Sequence, residues 1–187
     1  MGGYANGEKI KLKEGYMKTE TTSKSTGIAL MRIAFGLIWS IDAYFKWQPA
    51  FADNFIGYIK ETLDGQPAII QSWLNLWIKI VSINPLLFAR LVALGESAIA
   101  IGLLFGLFSN LVYAGGALLS FVIWAVPEGF GGPYAAGSTD IGAGIIYVFV
   151  FIGLFLLSAG QYYGLDKTLR NRLGRWRFLS SAPKEID

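Results

Sequence analysis

The sequence predicts an all-α integral membrane protein: an antiparallel four-helix transmembrane bundle, with amphipathic outer-surface helices between its first and second spans. Three observations carry this. The 187 residues are 53% hydrophobic and 15% aromatic, more apolar than an ordinary soluble domain. Four long apolar segments recur, near 28–47, 86–108, 111–126 and 141–159, and about 20 residues of helix cross a hydrocarbon core of roughly 30 Å. The bases gather at the two ends of the chain, a distribution that fits membrane topology and excludes a nucleic-acid-binding face.

Residues 1–27 alternate Lys9, Lys11, Lys13, Lys18 and Lys24 with Glu8, Glu14 and Glu20. No apolar run with a small-residue cleavage site follows, so they read as a retained tail. The C-terminal stretch 161–187 holds Lys167, Arg170, Arg172, Arg175, Arg177 and Lys184, whereas the connection 48–85 has only Lys60 and Lys79 and the connection 127–140 has none. Both tails are therefore expected in the cytoplasm, flanking a multi-pass domain over 28–160 in the cell membrane. Gly106–Asn110 joins the second and third spans as a tight cytoplasmic turn.

The outer connection carries structure of its own over 49–83. Phe51, Phe55, Ile59 and Leu63 recur every four residues, and Ile69, Ile70, Trp73, Leu74, Trp77, Ile80 and Val81 share one helical face opposite Gln71, Ser72, Asn75 and Lys79. Two amphipathic helices follow, either capping the bundle as a lid or floating at the headgroups. At the other side, 165–178 reads as a short basic helix on the cytoplasmic surface, anchored by Trp176 and drawn to anionic lipid.

The absence of cysteine and histidine excludes thiol redox chemistry, His-ligated haem, thiolate metal sites and Ser-His or Cys-His nucleophiles. The chemistry must lie elsewhere. Glu96 sits in the middle of the apolar run 86–108, where an unpaired carboxylate costs roughly 2.5–3.5 kcal/mol. It needs a partner, a proton or a function. If the first and second spans begin at equal depth outside, Asp42 and Arg90 each lie about four residues in, roughly 6 Å. Gly36 then stands level with Glu96, and Arg32 reaches it from one turn below. Two ion pairs follow, Asp42 with Arg90 and Arg32 with Glu96, whereas Arg90 and Glu96 point about 120° apart. Lys46 and Arg90 can equally snorkel.

Asn84-Pro85 and Ser138-Thr139-Asp140 look like helix caps, so two positive helix ends face outward. With Lys46 and Arg90 beside them they make a cradle for a small anion, opposed by Asp42 and Asp140. The run Pro127-Glu128-Gly129-Phe130-Gly131-Gly132-Pro133-Tyr134 lacks the order of a phosphate-binding loop. It implies close backbone approach to a ligand or to a neighbouring helix. Ala98, Gly102 and Gly106 form a small-residue ridge, with Gly115-Gly116 on the third span, as in helix packing. Trp39, Trp124 and Tyr147 can stack on a quinone ring, or simply fill core and belt.

The first span has Arg32-x3-Gly36 and Asp42-x3-Lys46. Gly95-Glu96 and Gly102-Leu103-Leu104-Phe105-Gly106 follow in the second, with Gly160 and Leu165-Asp166 after the fourth. In this order the chain resembles the DoxX/DoxD family of small four-helix membrane proteins over 32–166. The stretch from Gly132-Pro133-Tyr134 to Asp140-Ile141-Gly142 is similar to its DoxD branch, the membrane subunit of thiosulfate:quinone oxidoreductase. The resemblance implies electron transfer from an extracytoplasmic sulfur anion to membrane quinone, with quinone as the acceptor and a second small subunit as partner. It carries no residue roles. Depth and side-chain chemistry assign catalysis to Glu96 and Arg32, anion binding to Lys46, Arg90 and Asp42, and quinone contact to Trp39, Trp124 and Tyr147, with no metal or haem site evident. The rival expectations are a non-catalytic accessory subunit of a larger respiratory or oxidase complex, docking through Ala98-Gly102-Gly106, and a carrier of small anions or quinone.

Overall fold

The computed structural model describes residues 3–181, and side chains from residue 22 onward. The fold is all-helical among the described residues: α1 (Gly3–Lys46), α2 (Pro49–Asp53), α3 (Phe55–Glu61), α4 (Ala68–Val81), α5 (Pro85–Phe105), α6 (Ser109–Ala125), α7 (Ala143–Leu156) and α8 (Asp166–Leu169). Among the described residues two stretches are long and apolar enough to cross a membrane, Thr22–Lys46 within α1 and Pro85–Phe105. The expected first span is thus the second half of a longer helix that begins at Gly3. The side chains of Lys9 to Lys18, and Lys184, lie outside the described residues.

Each long helix turns one narrow stripe inward. On α1 it is Ala29, Arg32, Phe35, Trp39 and Ala43; on α5 it is Ala89, Ala93, Glu96, Ala100 and Leu103, both at the three- and four-residue spacing of a helix face. α1 packs antiparallel on α5, α5 on α6 and α6 on α7. The circle closes where Phe35 and Trp39 meet Phe151 and Tyr147 of α7 edge-on or tilted, at ring distances of 5.0–6.1 Å. Small residues permit the close contacts: Gly102 faces Val112, and Gly116 faces the ring of Phe151. Ala98, by contrast, is exposed while Gly102 and Gly106 are buried. The expected ridge is therefore an internal contact and not one docking face.

The ends are set locally. Asn84 caps α5, its side-chain oxygen accepting from Leu87 N at 3.0 Å, with Pro85 first in the helix, as such a pair does. Gly106 ends α5 at φ 59°, the left-handed geometry that glycine adopts at least cost. α6 takes its N-terminal cap from 57 residues ahead: Asp166 Oδ1 and Oδ2 accept from Phe108 N and Ser109 N at 2.8 and 2.9 Å.

The segment 49–83 is a lid. Ile59, Leu74 and Val81 are buried against Ala125 and Val126, each worth about 1.5–3 kcal/mol if otherwise left in water. Trp73 Nε1 donates to Ala125 O and the Thr62 hydroxyl to Pro127 O, at 2.8 and 2.7 Å. Gln71, Ser72, Asn75 and Lys79 face outward, as the periodicity predicts.

The expected basic helix over 165–178 is broken. α8 stops at Leu169 and short 3-10 turns follow; Gly174 adopts φ 52°, and the chain after it lies back on α6. Asn110 Nδ2 donates to Phe178 O and Ser180 O, and Ser181 N donates to Asp166 Oδ2 at 2.8 Å.

Candidate functional site

A cavity of about 970 Å³ lies between the lid and the ends of the long helices, within the size range of small-molecule sites. α1 contributes Trp39, Asp42 and Lys46; α5 contributes Glu96; the lid contributes Phe51, Phe55, Tyr58 and Trp77; α7 contributes Tyr147. Most of the wall is apolar or aromatic, and of its charged residues Asp42 and Glu96 pair with Lys46, while Glu61 and Glu128 also line it.

Lys46 Nζ stands 3.6 Å from Glu96 Oε1 and 3.8 Å from Asp42 Oδ1. Glu96 is 1% exposed, and its Oε2 has no hydrogen-bond partner among the described residues. Trp39 Nε1 on the same wall is equally buried and unpartnered. The Trp39 ring packs against Tyr147 at 6.1 Å.

The two expected ion pairs are not formed, and helix register is the reason. Gly36 lies against Leu103 and Leu104, where equal starting depths would have set it against Glu96. That difference of about seven residues is roughly 10 Å of helix rise. α5 extends past the end of α1, so Glu96 meets Lys46 rather than Arg32. Arg32 instead lies at the other end of the core. Its Nη1 donates to Leu103 O at 2.6 Å and its Nη2 to Tyr162 O at 3.2 Å. Catalysis by Arg32 at Glu96 is therefore not what the geometry offers.

The anion cradle is not assembled either. Arg90 sits beside Ala89 on the outward side of α5, exposed, with its guanidinium 5.4 Å from the Trp47 ring. The Lys46 ammonium is shared between two carboxylates. At α7 the predicted caps give way to Gly142, and Glu128 holds the anion position, its Oε2 accepting from Gly144 N at 3.0 Å. Asp140 turns back on its own chain, Oδ1 accepting from Ile141 N and Gly142 N. The glycine run serves backbone packing: Gly131 abuts Ile141 O, while Gly129 and Gly132 abut Gln66.

Of the expected quinone contacts, Trp39 and Tyr147 come together on the cavity wall. Trp124 stands apart, 5.1 Å from the Phe130 ring with its Nε1 donating to Ile141 O at 2.8 Å. Sequence reasoning missed Glu128 and Asp166, both of which cap distant helices. Their signal was weak: a carboxylate beside a glycine-rich turn. Among the described residues no group of three or more His, Cys, Asp or Glu side chains is placed to hold a metal ion. Against known proteins, the chain matches no family model, no curated protein and no solved structure.

Proposed function

We propose that the chain is a four-crossing membrane protein with both tails cytoplasmic, acting as the quinone-binding membrane subunit of a thiosulfate:quinone oxidoreductase-like complex. One observation carries the reading: an aromatic-walled cavity beneath a lid, lined by residues that hold one buried carboxylate oxygen and two buried indole N–H groups without a partner. A bound quinone supplies the electron acceptor. Around it Trp39 donates a hydrogen bond, Glu96 offers Oε2 as an acceptor to the ring's hydroxyl form, Lys46 keeps the opposing charge and the lid excludes water. The sulfur anion falls to the partner subunit in this reading, because Lys46 is already engaged and Arg90 points away.

Topology is the first test. α6 and α7 have 17 and 14 residues, so α7 alone rises only about 21 Å and needs its flanking turns to span the bilayer. The chain has no cysteine, so single substitutions report cleanly. Ser72→Cys and Ser138→Cys should react with an impermeant maleimide from outside the cell, and Thr168→Cys only after permeabilisation. Labelling of Ser138→Cys from the cytoplasmic side alone would leave two crossings. The second test is thiosulfate-dependent quinone reduction by the purified chain with and without copurifying subunits. Inactivity in both, together with tight copurification with an oxidase, selects the accessory role.

A further inference from the structure

Three buried polar atoms without a partner belong to residues of the cavity wall: Trp77 Nε1 on the lid, and Glu96 Oε2 and Trp39 Nε1 on the long helices, and these last two differ in kind. With Lys46 Nζ 3.6 Å from Oε1, the Glu96 carboxyl is half of an ion pair and its Oε2 accepts hydrogen bonds. The Trp39 indole N–H only donates. Buried polar groups are almost always hydrogen-bonded in folded proteins, and these two lie on side chains that are each 1% exposed. The cavity also carries Asp42, Glu61, Glu96 and Glu128 against the single base Lys46, which disfavours an anionic ligand. Phe51, Phe55 and Tyr58 supply flat, largely apolar walls.

We propose that the cavity binds the reduced, hydroxyl-bearing form of an uncharged aromatic amphiphile in preference to the oxidised dione. The hydroxyl donates to Glu96 Oε2, and a second ring oxygen accepts from Trp39 Nε1. A dione brings only acceptors and leaves the carboxylate unmatched. Asp42, 3.8 Å from the Lys46 ammonium, keeps that charge paired when the ligand hydroxyl takes up Glu96. This rests on the reading of the cavity as the place where the ring binds, and adds the oxidation state that the site selects.

The test needs no electron transfer. The full chain in lipid nanodiscs is titrated calorimetrically with 4-decylphenol and with 4-decylanisole, the methyl ether that lacks the donor, using empty nanodiscs as blanks. The phenol should bind at least about tenfold more tightly, as expected of a hydrogen bond to a charged acceptor. The double variant Lys46→Met/Glu96→Met removes both charges at once and should bring the preference below about twofold. Equal affinity for the two probes, preference for the ether, or binding of neither overturns the inference. Absent thiosulfate-dependent quinone reduction with the phenol preference intact counts against the enzyme reading alone. Lost preference with intact activity counts against this inference alone.

Discussion

One ammonium, that of Lys46, serves two carboxylates of unequal exposure: Glu96 Oε1 at 3.6 Å, wholly buried, and Asp42 Oδ1 at 3.8 Å, partly open to the surroundings. Glu96 depends on this pairing far more than Asp42 does, because a buried charge without its partner has no solvent to fall back on. Lys46→Met should therefore destabilise the protein by about 3 kcal/mol, and adding Glu96→Met should recover most of that loss. Unfolding in mixed micelles, read by circular dichroism, measures both. Additive losses in the double variant would show that the pair does not couple.

Asp166 holds three backbone N–H groups, those of Phe108, Ser109 and Ser181, all within 2.9 Å. Asp166→Ala removes the cap of α6 and the tether of the C-terminal stretch together, and should cost about 2 kcal/mol or more. Asp166→Asn keeps one acceptor oxygen and should fall between. Limited proteolysis should cut near 174–181 sooner in Asp166→Ala than in the parent. Equal cleavage rates would argue that Ser181 is held by something else.

Gly115 and Gly116 are neighbours in sequence with opposite surroundings. A methyl at Gly116 meets the Phe151 ring, and one at Gly115 meets nothing. Gly116→Ala should overpack the α6–α7 contact at a cost of about 1–3 kcal/mol. Gly115→Ala should be neutral, or stabilise by up to about 1 kcal/mol through helix propensity. The same unfolding assay separates them, and equal effects would contradict the packing of Phe151 on α6.

These contrasts mark how far the sequence could be read. Apolar run length placed the long helices, the Asn84-Pro85 pair the start of α5, and apolar periodicity the buried face of 68–81, because each of these signals is local to its segment. Whether the lid packs or floats is decided by Ala125 and Val126 beneath it, which no spacing within 49–83 records. The pairing of charges depended on how far α5 slides along α1. That register is fixed by contacts such as Gly36 with Leu103 and Leu104, between residues far apart in the chain. An offset of two turns was enough to trade Arg32 for Lys46 as the partner of Glu96. Trp124 was misplaced for a related reason, since its indole N–H answers a carbonyl of the connection before α7.

Arg32 is the case in which charge alone and hydrogen-bonding shape predict different outcomes. Its guanidinium is fully buried and spans two chain segments, donating to Leu103 O at 2.6 Å and to Tyr162 O at 3.2 Å. The first is in the last turn of α5, where unpaired carbonyls make the helix end negative. A planar fork reaches both carbonyls at once, whereas a lysine ammonium is a single point on a flexible stem. Arg32→Lys would bury a cation with only part of its hydrogen bonding, while Arg32→Met buries none. The lysine variant should therefore be no more stable than the methionine variant, both lying about 2 kcal/mol or more below the parent. Had Arg32 been the counter-charge of Glu96, lysine would substitute well and methionine would not, so the order of the two melting curves separates the carbonyl clasp from an ion pair.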